Sequence, residues 1–279
     1  MSERFPLSLG FSPCPNDTYI FNALVHGFIS PRRVQFLPPL LEDVETLNDW
    51  ALQSRLHLTK LSFHALGHVL DRYALLHAGA ALGWGCGPLL ITAGRKPLSE
   101  LSHWKIALPG RLTTAALLLR LYAPACDDLV VLRFDRIMEA LVRGEVDGGV
   151  IIHESRFTYQ ELGLQCVQDL GQWWESSTGL PIPLGCIAAQ RALPEDIHQD
   201  INAAIAASIH WADAHPDETL PYIRAHSQEM APEVVNSHIG LYVNAYSKDL
   251  GEDGLHAVRE LLRRGAELGL FPAEAATQV

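Results

Sequence analysis

The 279-residue chain is long for one compact core, and its side chains, 48% apolar against 19% charged, suffice to fill two. Its 32 acidic and 21 basic residues give a formal net charge of −11, which excludes the basic surface that nucleic acid or an anionic membrane would need. Five scattered cysteines with no Cys-x-x-Cys pair and 13 histidines with no tight ligand spacing predict neither a disulfide framework nor a metal site. No apolar run reaches the ~18 residues of a membrane span, and residues 1–11 lack the apolar segment of a secretory signal. The expectation is a cytoplasmic protein with no metal or other cofactor, no nucleic-acid partner and no membrane span.

Residues 5–11 predict a strand, Leu7 and Leu9 alternating with Ser8 and Gly10. Ser12-Pro13-Cys14-Pro15-Asn16-Asp17-Thr18 follows, then an apolar run over 19–25. Two prolines fix a turn. Asn16 or Asp17 stands either to cap the next helix or to join its free N–H groups in an anion site. Cys14 has no base beside it in sequence, and prolines on both sides suit a structural position. Residues 34–41 predict a second strand broken by Pro38-Pro39, and 42–52 a helix with acids in its first turn. Leu58-Thr59-Lys60-Leu61-Ser62 opens another strand-to-helix junction. Lys60 there is either a solvated lysine or the cation that an acidic substrate would require.

Gly79, Gly83, Gly85 and Gly87 predict a loop between lobes without the frame of a nucleotide fingerprint. The strand 89–93 then makes the first crossing. A second lobe begins with strand 104–108, the turn Pro109-Gly110-Arg111-Leu112-Thr113-Thr114 and a Leu-rich helix over 115–122. Thr113 and Thr114 fall where hydroxyls and backbone N–H groups either hold a carboxylate or simply cap the helix. A strand over 129–134 precedes a helix marked by Phe134, Ile137, Met138, Leu141 and Val142 and ended by Gly144. Val150-Ile151-Ile152 is a run suited to a strand buried on both faces, and His153-Glu154-Ser155-Arg156 follows at once. Strand ends in open α/β sheets face the ligand crevice. His153 is therefore the candidate acid/base; the plain alternative is a surface histidine.

Trp173 and Trp174 suit a lid, an inter-lobe contact or a core. Residues 186–189 predict a strand returning to the first lobe, and Pro194 opens the helix Glu195–Ala214. Residues 216–269 look helical, with a loop at 250–254, and 271–279 form a loose tail. The β-α-β-α-β order favours parallel pairing. The expected architecture is α/β in two lobes, a larger discontinuous one (1–93 with 186–279) and a smaller one (94–185).

Four motifs in order, 12–18, 58–62, Pro109-Gly110-Arg111-x-Thr113-Thr114 and Ile151-Ile152-His153-Glu154-Ser155-Arg156-Phe157, resemble the 1,4-dihydroxy-6-naphthoate synthase family, the cyclic dehypoxanthinyl futalosine lyases of the futalosine route to menaquinone. The similarity runs from about Leu9 to about Gly254, taking in 42–48 and 178–185. It departs at Leu112, where a polar residue such as His is expected. The resemblance implies a two-lobed fold like the type 2 periplasmic binding proteins, with a central inter-lobe cleft. It implies cleavage of the cyclic substrate to 1,4-dihydroxy-6-naphthoate and dihydroxyacetone, a carbon–carbon lyase reaction. It puts the catalytic histidine on His153 and substrate binding on Lys60, Leu61 and Ser62, with Thr113 and Thr114 in the second lobe. Asn16, Asp17 and Arg156 complete the expected substrate contacts; Arg156 or Glu154 would also set the protonation of His153. The expected partner is a small-molecule carboxylate, with a homodimer left open. The rivals are a small-anion binding protein of the same fold and a related lyase such as chorismate dehydratase.

Overall fold

The computed structural model describes residues 4–94, 96–227 and 231–279. Two mixed sheets organise them. The first runs in the order Leu40–Leu41, Leu9–Phe11, Leu58–Ser62, Ile182–Gln190, Tyr73–Leu75, with Ala81–Gly83 also paired to Ile182–Gln190. The second runs Leu129–Val131, Ile106–Leu108, Gly148–Ile151, Leu89–Thr92, Gln165–Asp169. In each sheet the strand that follows a crossing is antiparallel to its neighbours: Ile182–Gln190 in the first and Leu89–Thr92 in the second.

The strand Leu89–Thr92, expected at the end of the larger lobe, thus hydrogen-bonds wholly within the second sheet. Its four residues are all buried, and a strand apolar on both faces carries no mark of the sheet it joins. The return strand begins at Ile182 rather than 186. The crossing from the first sheet needs bare backbone: a Cβ at Gly87 would overlap Gly171, and one at Gly171 would overlap Gly87.

The run 5–11 is two strands, not one. Phe5–Leu7 pairs with Val34–Phe36 in a separate ribbon, whereas Leu9–Phe11 enters the first sheet. The break falls at Ser8, whose hydroxyl and amide both meet His57. Helix Glu195–Ala214 sets Ile197, Ile201, Ile205 and Ile209 at four-residue spacing on the face it buries against Pro15–Val25. Each such side chain contributes roughly 1.5–3 kcal/mol. The packing fixes the helix whose first turn carries Asn16 and Asp17.

The tail is not loose. Phe271 is 7% exposed and fills the space above Gly67 and Gly265, Ala273–Thr277 forms a short 3-10 helix, and Arg259 holds the Val279 carbonyl at 2.9 Å. Trp174 is a core residue, with its indole N–H donating to the Pro181 carbonyl at 3.1 Å. The stretch 228–230, inside the run expected to be helical, lies outside the described residues.

Candidate active site

The first wall of the site comes from two strand-to-helix junctions of the first sheet. Pro15 occupies the first helical position, where its missing N–H costs nothing. Cys14 holds the N-cap position without a side-chain bond, so neither Asn16 nor Asp17 caps. Both lie instead in the first turn, 6% and 1% exposed. The Asp17 carboxylate accepts from the Ser12 amide (3.1 Å) and hydroxyl (2.7 Å) and from Asn16 Nδ2 (2.8 Å). Lys60, on the adjacent strand, places its ammonium 2.7 Å from Asp17 Oδ1. That is ion-pair distance, off the angle of a directed hydrogen bond, and Nζ has no other partner among the described residues. Lys60 is thus not a solvated lysine but a buried charge held by a saturated carboxylate. Ser62 is fixed from both sides by Asn48, which accepts from its amide at 2.9 Å and donates to its hydroxyl at 3.2 Å.

Leu61 does not reach the site. Alternation along the strand turns its side chain away from Lys60 and Ser62, into the core with Phe63 and Leu66.

The second wall is the turn 109–113 and the helix Thr114–Tyr122. Thr113 Oγ1 caps the Ala116 amide at 3.3 Å and donates to the Gly110 carbonyl at 3.0 Å. Thr114 Oγ1 donates to the Leu184 carbonyl at 2.6 Å, tying this helix to the return strand. Both hydroxyls are therefore engaged, while the amides of Thr113, Thr114 and Ala115 show no acceptor among the described residues. Just before them a protein carboxylate is already seated: Glu45, from helix Val44–Leu52 on the first sheet's side, accepts from the Arg111 amide at 2.5 Å and the Leu112 amide at 3.1 Å. At Leu112, the departure from the family pattern, it is the backbone N–H that is used.

His153 sits two residues beyond the strand Gly148–Ile151 with φ +56°, in the left-handed region that few non-glycine residues enter. Its Nδ1 lies 3.6 Å from Cys14 Sγ, Phe134 meets its ring edge-on at 5.2 Å, and the His238 ring lies parallel at 6.1 Å. Burial pushes its pKa down, against the opposing pull of Glu154 and Asp17, so the ring is neutral at pH 7 and able to take a proton. Burial pushes the Cys14 thiol up, which leaves it protonated and unsuited to nucleophilic attack. Nε2 of His153 has no described hydrogen-bond partner.

Arg156 is turned away from the cleft. It pairs with Asp169 at 2.8 Å and holds the Gly87 carbonyl, clamping the short helix Ser155–Thr158 to the crossing. An arginine five residues beyond a strand end can reach either way, and an acidic partner thirteen residues on decided it.

One cleft of about 640 Å³ collects Asn16, Asp17, Lys60, Ser62, Thr113, Thr114 and His153. Its walls also include Ser12, Cys86, Leu184, His238 and Tyr242, which sequence reasoning missed. The last two come from helix Pro232–Tyr242, whose buried face is Val235, His238 and Tyr242. A histidine in register with that apolar stripe was the available signal. A second cavity of about 690 Å³ shares His153 and Val44 with the first and is lined by Arg133, Phe134 and Glu154 among others. Among the described residues no helix is long and apolar enough to cross a membrane.

A family model described as menaquinone biosynthesis matches residues 7–267. A Thermus thermophilus protein named 1,4-dihydroxy-6-naphtoate synthase is 52% identical over 265 residues, 95% of each chain. A Streptomyces coelicolor protein of the same name is 45% identical over 275 residues, covering 96% of this chain and 95% of the relative. Among solved structures, a protein from Archaeoglobus fulgidus superposes with a TM-score of 0.88 at 34% identity, over 95% of this chain and 98% of its own. A Candida albicans protein described as having the generic periplasmic binding protein fold gives 0.67 at 13% identity, over 98% and 94%. The fold is thus of the periplasmic-binding-protein type, with two lobes about a cleft.

Proposed function

The chain belongs to the menaquinone-biosynthesis family of 1,4-dihydroxy-6-naphthoate synthases and is an enzyme, and from that premise we propose that it cleaves cyclic dehypoxanthinyl futalosine in the cytoplasm. The products are 1,4-dihydroxy-6-naphthoate and dihydroxyacetone. Releasing the three-carbon fragment and aromatising the ring requires a proton to leave a carbon beside a carbonyl and a proton to be returned elsewhere. A neutral imidazole does the first and, once charged, the second. His153 has that form, and its Nε2 is unengaged.

The substrate carboxylate is assigned to the amides of Thr113, Thr114 and Ala115 at the helix N-terminus. Lys60, with Ser62 beside it, stands to stabilise an oxygen on which negative charge develops. Because Asp17 fixes the ammonium beforehand, no reorganisation is needed when charge appears. Closure of the smaller lobe, about residues 89–181, over the larger one would exclude water and bring the two walls onto one substrate. Glu45, reaching across to the amides of Arg111 and Leu112, supports a closed arrangement.

The observation that carries the proposal is His153, its Nε2 unengaged, in the same cleft as the buried Lys60–Asp17 pair and a set of unengaged amides. The test is His153→Ala, assayed by mass spectrometry for the naphthoate from purified substrate. A loss of about 10²–10⁴-fold is expected; turnover close to wild type would remove His153 from the reaction.

A further inference from the structure

His238 is 1% exposed, lines the cleft and has one ring nitrogen without a partner. Its state follows from its neighbours. Asp17 can only accept, so Asn16 must turn Nδ2 towards it (2.8 Å), which leaves Asn16 Oδ1 facing His238 Nε2 at 3.0 Å. A carbonyl oxygen accepts, so Nε2 carries the hydrogen. Burial, together with His153 and Lys60 nearby, pushes the His238 pKa well below the usual histidine value. The ring is therefore neutral, and Nδ1 carries a bare lone pair with no donor among the described residues, on a side chain that lines the cleft.

We propose that His238 is a further substrate-binding residue, whose Nδ1 accepts a hydrogen bond from a hydroxyl of the sugar-derived part of the substrate. This inference rests on the reaction proposed above. A bare lone pair needs a donor, and a carboxylate at neutral pH has none to give; the anionic group belongs instead at Lys60 and the helix amides. The ring lies parallel to His153 at 6.1 Å, so a hydroxyl held there lies close to the base. Asn16 joins His238 to the Asp17–Lys60 pair, so one chain of fixed groups sets the hydroxyl acceptor and the cation together. A ligand lacking that hydroxyl leaves a buried acceptor unmet, which corresponds to about 5- to 150-fold in affinity or kcat/KM.

The experiment compares the parent substrate with analogues that each lack one sugar hydroxyl, on wild-type enzyme, His238→Phe and His238→Asn, with circular dichroism as the check on folding. The wild type should lose 5- to 150-fold in kcat/KM on one analogue. His238→Phe should lose a similar factor on the parent and no longer tell the two apart. His238→Asn, which sets a carbonyl oxygen near the position of Nδ1, should recover part of the loss. Parent kcat/KM within twofold of wild type in His238→Phe, or undiminished discrimination, overturns the inference. If His238→Phe does not fold, the wild-type series decides, and uniform kcat/KM across it overturns the inference. Absence of naphthoate with wild type and parent overturns the reaction and this inference with it; turnover without hydroxyl discrimination overturns this inference alone.

Discussion

Replacing Asp17 by asparagine removes the only charged partner that Lys60 has among the described residues. The two side chains are 1% and 6% exposed and 2.7 Å apart, so water cannot take the carboxylate's place without opening the cleft. Removing one partner of a buried pair costs about 3–5 kcal/mol, because the remaining charge stays desolvated. The amide oxygen introduced by the substitution would still accept from Ser12, so the lower end, about 3 kcal/mol, is the expected loss in Asp17→Asn. Against a total stability of roughly 5–15 kcal/mol this is a large fraction. At about 2 °C per kcal/mol for a chain of this length, Tm should fall by roughly 6 °C. Scanning calorimetry on wild type, Asp17→Asn, Lys60→Met and the double variant separates burial from pairing. Removing both charges leaves neither uncompensated, so the double variant should be more stable than Asp17→Asn by at least about 1 kcal/mol. A fall below about 1 kcal/mol in Asp17→Asn, or a double variant as unstable as the two losses summed, would refute the account of Lys60 as a buried, prepaired cation.

Three further outcomes follow from the geometry around the cleft. A methyl group at Gly110 would overlap the Glu45 carboxylate, so Gly110→Ala should displace Glu45 from the Arg111 and Leu112 amides and raise KM by roughly 5- to 100-fold, about the worth of those charged bonds; an unchanged KM would show that they do not serve closure. His64 donates to the Thr113 carbonyl across 3.1 Å, and its pKa is pushed down to about 4 by burial, with His68 and Arg120 adding to it. The folded value lies below the unfolded ~6.5, so this stability is fully present above pH 6.5 and is lost as pH falls towards 4, by roughly 3 kcal/mol in all. Urea midpoints should therefore drop between pH 7 and 5, less steeply in His64→Gln, and a flat profile would contradict it. The lowered pKa of His153 likewise sets the acid limb of kcat/KM below pH 6.5.

The chain's local chemistry was legible because its causes lie within a few residues. Thr113 as a cap and the β-branched run ahead of His153 are decided by neighbours in sequence, whereas Pro15, expected in a turn, begins the helix. The motifs at 12–18, 58–62, 109–114 and 151–157 marked the family for the same reason: each is a contiguous strand-to-helix turn. Alternation alone could also have set Leu61 apart from Lys60, had the strand been read as strictly as the helices.

What tertiary structure decided was the choice of partner. Arg156 could have faced a ligand, but Asp169 and the Gly87 carbonyl took it. The amides of Arg111 and Leu112 could have held a substrate carboxylate, but Glu45 arrived from another element. Leu89–Thr92 had no sequence mark of which sheet it would join, and His238 entered the cleft 85 residues beyond His153, with Asn16 fixing its tautomer. Propensity and capping are short-range and are written in the chain; burial, charge pairing and the protonation of a histidine depend on which surfaces meet, and that is settled only when the two lobes pack.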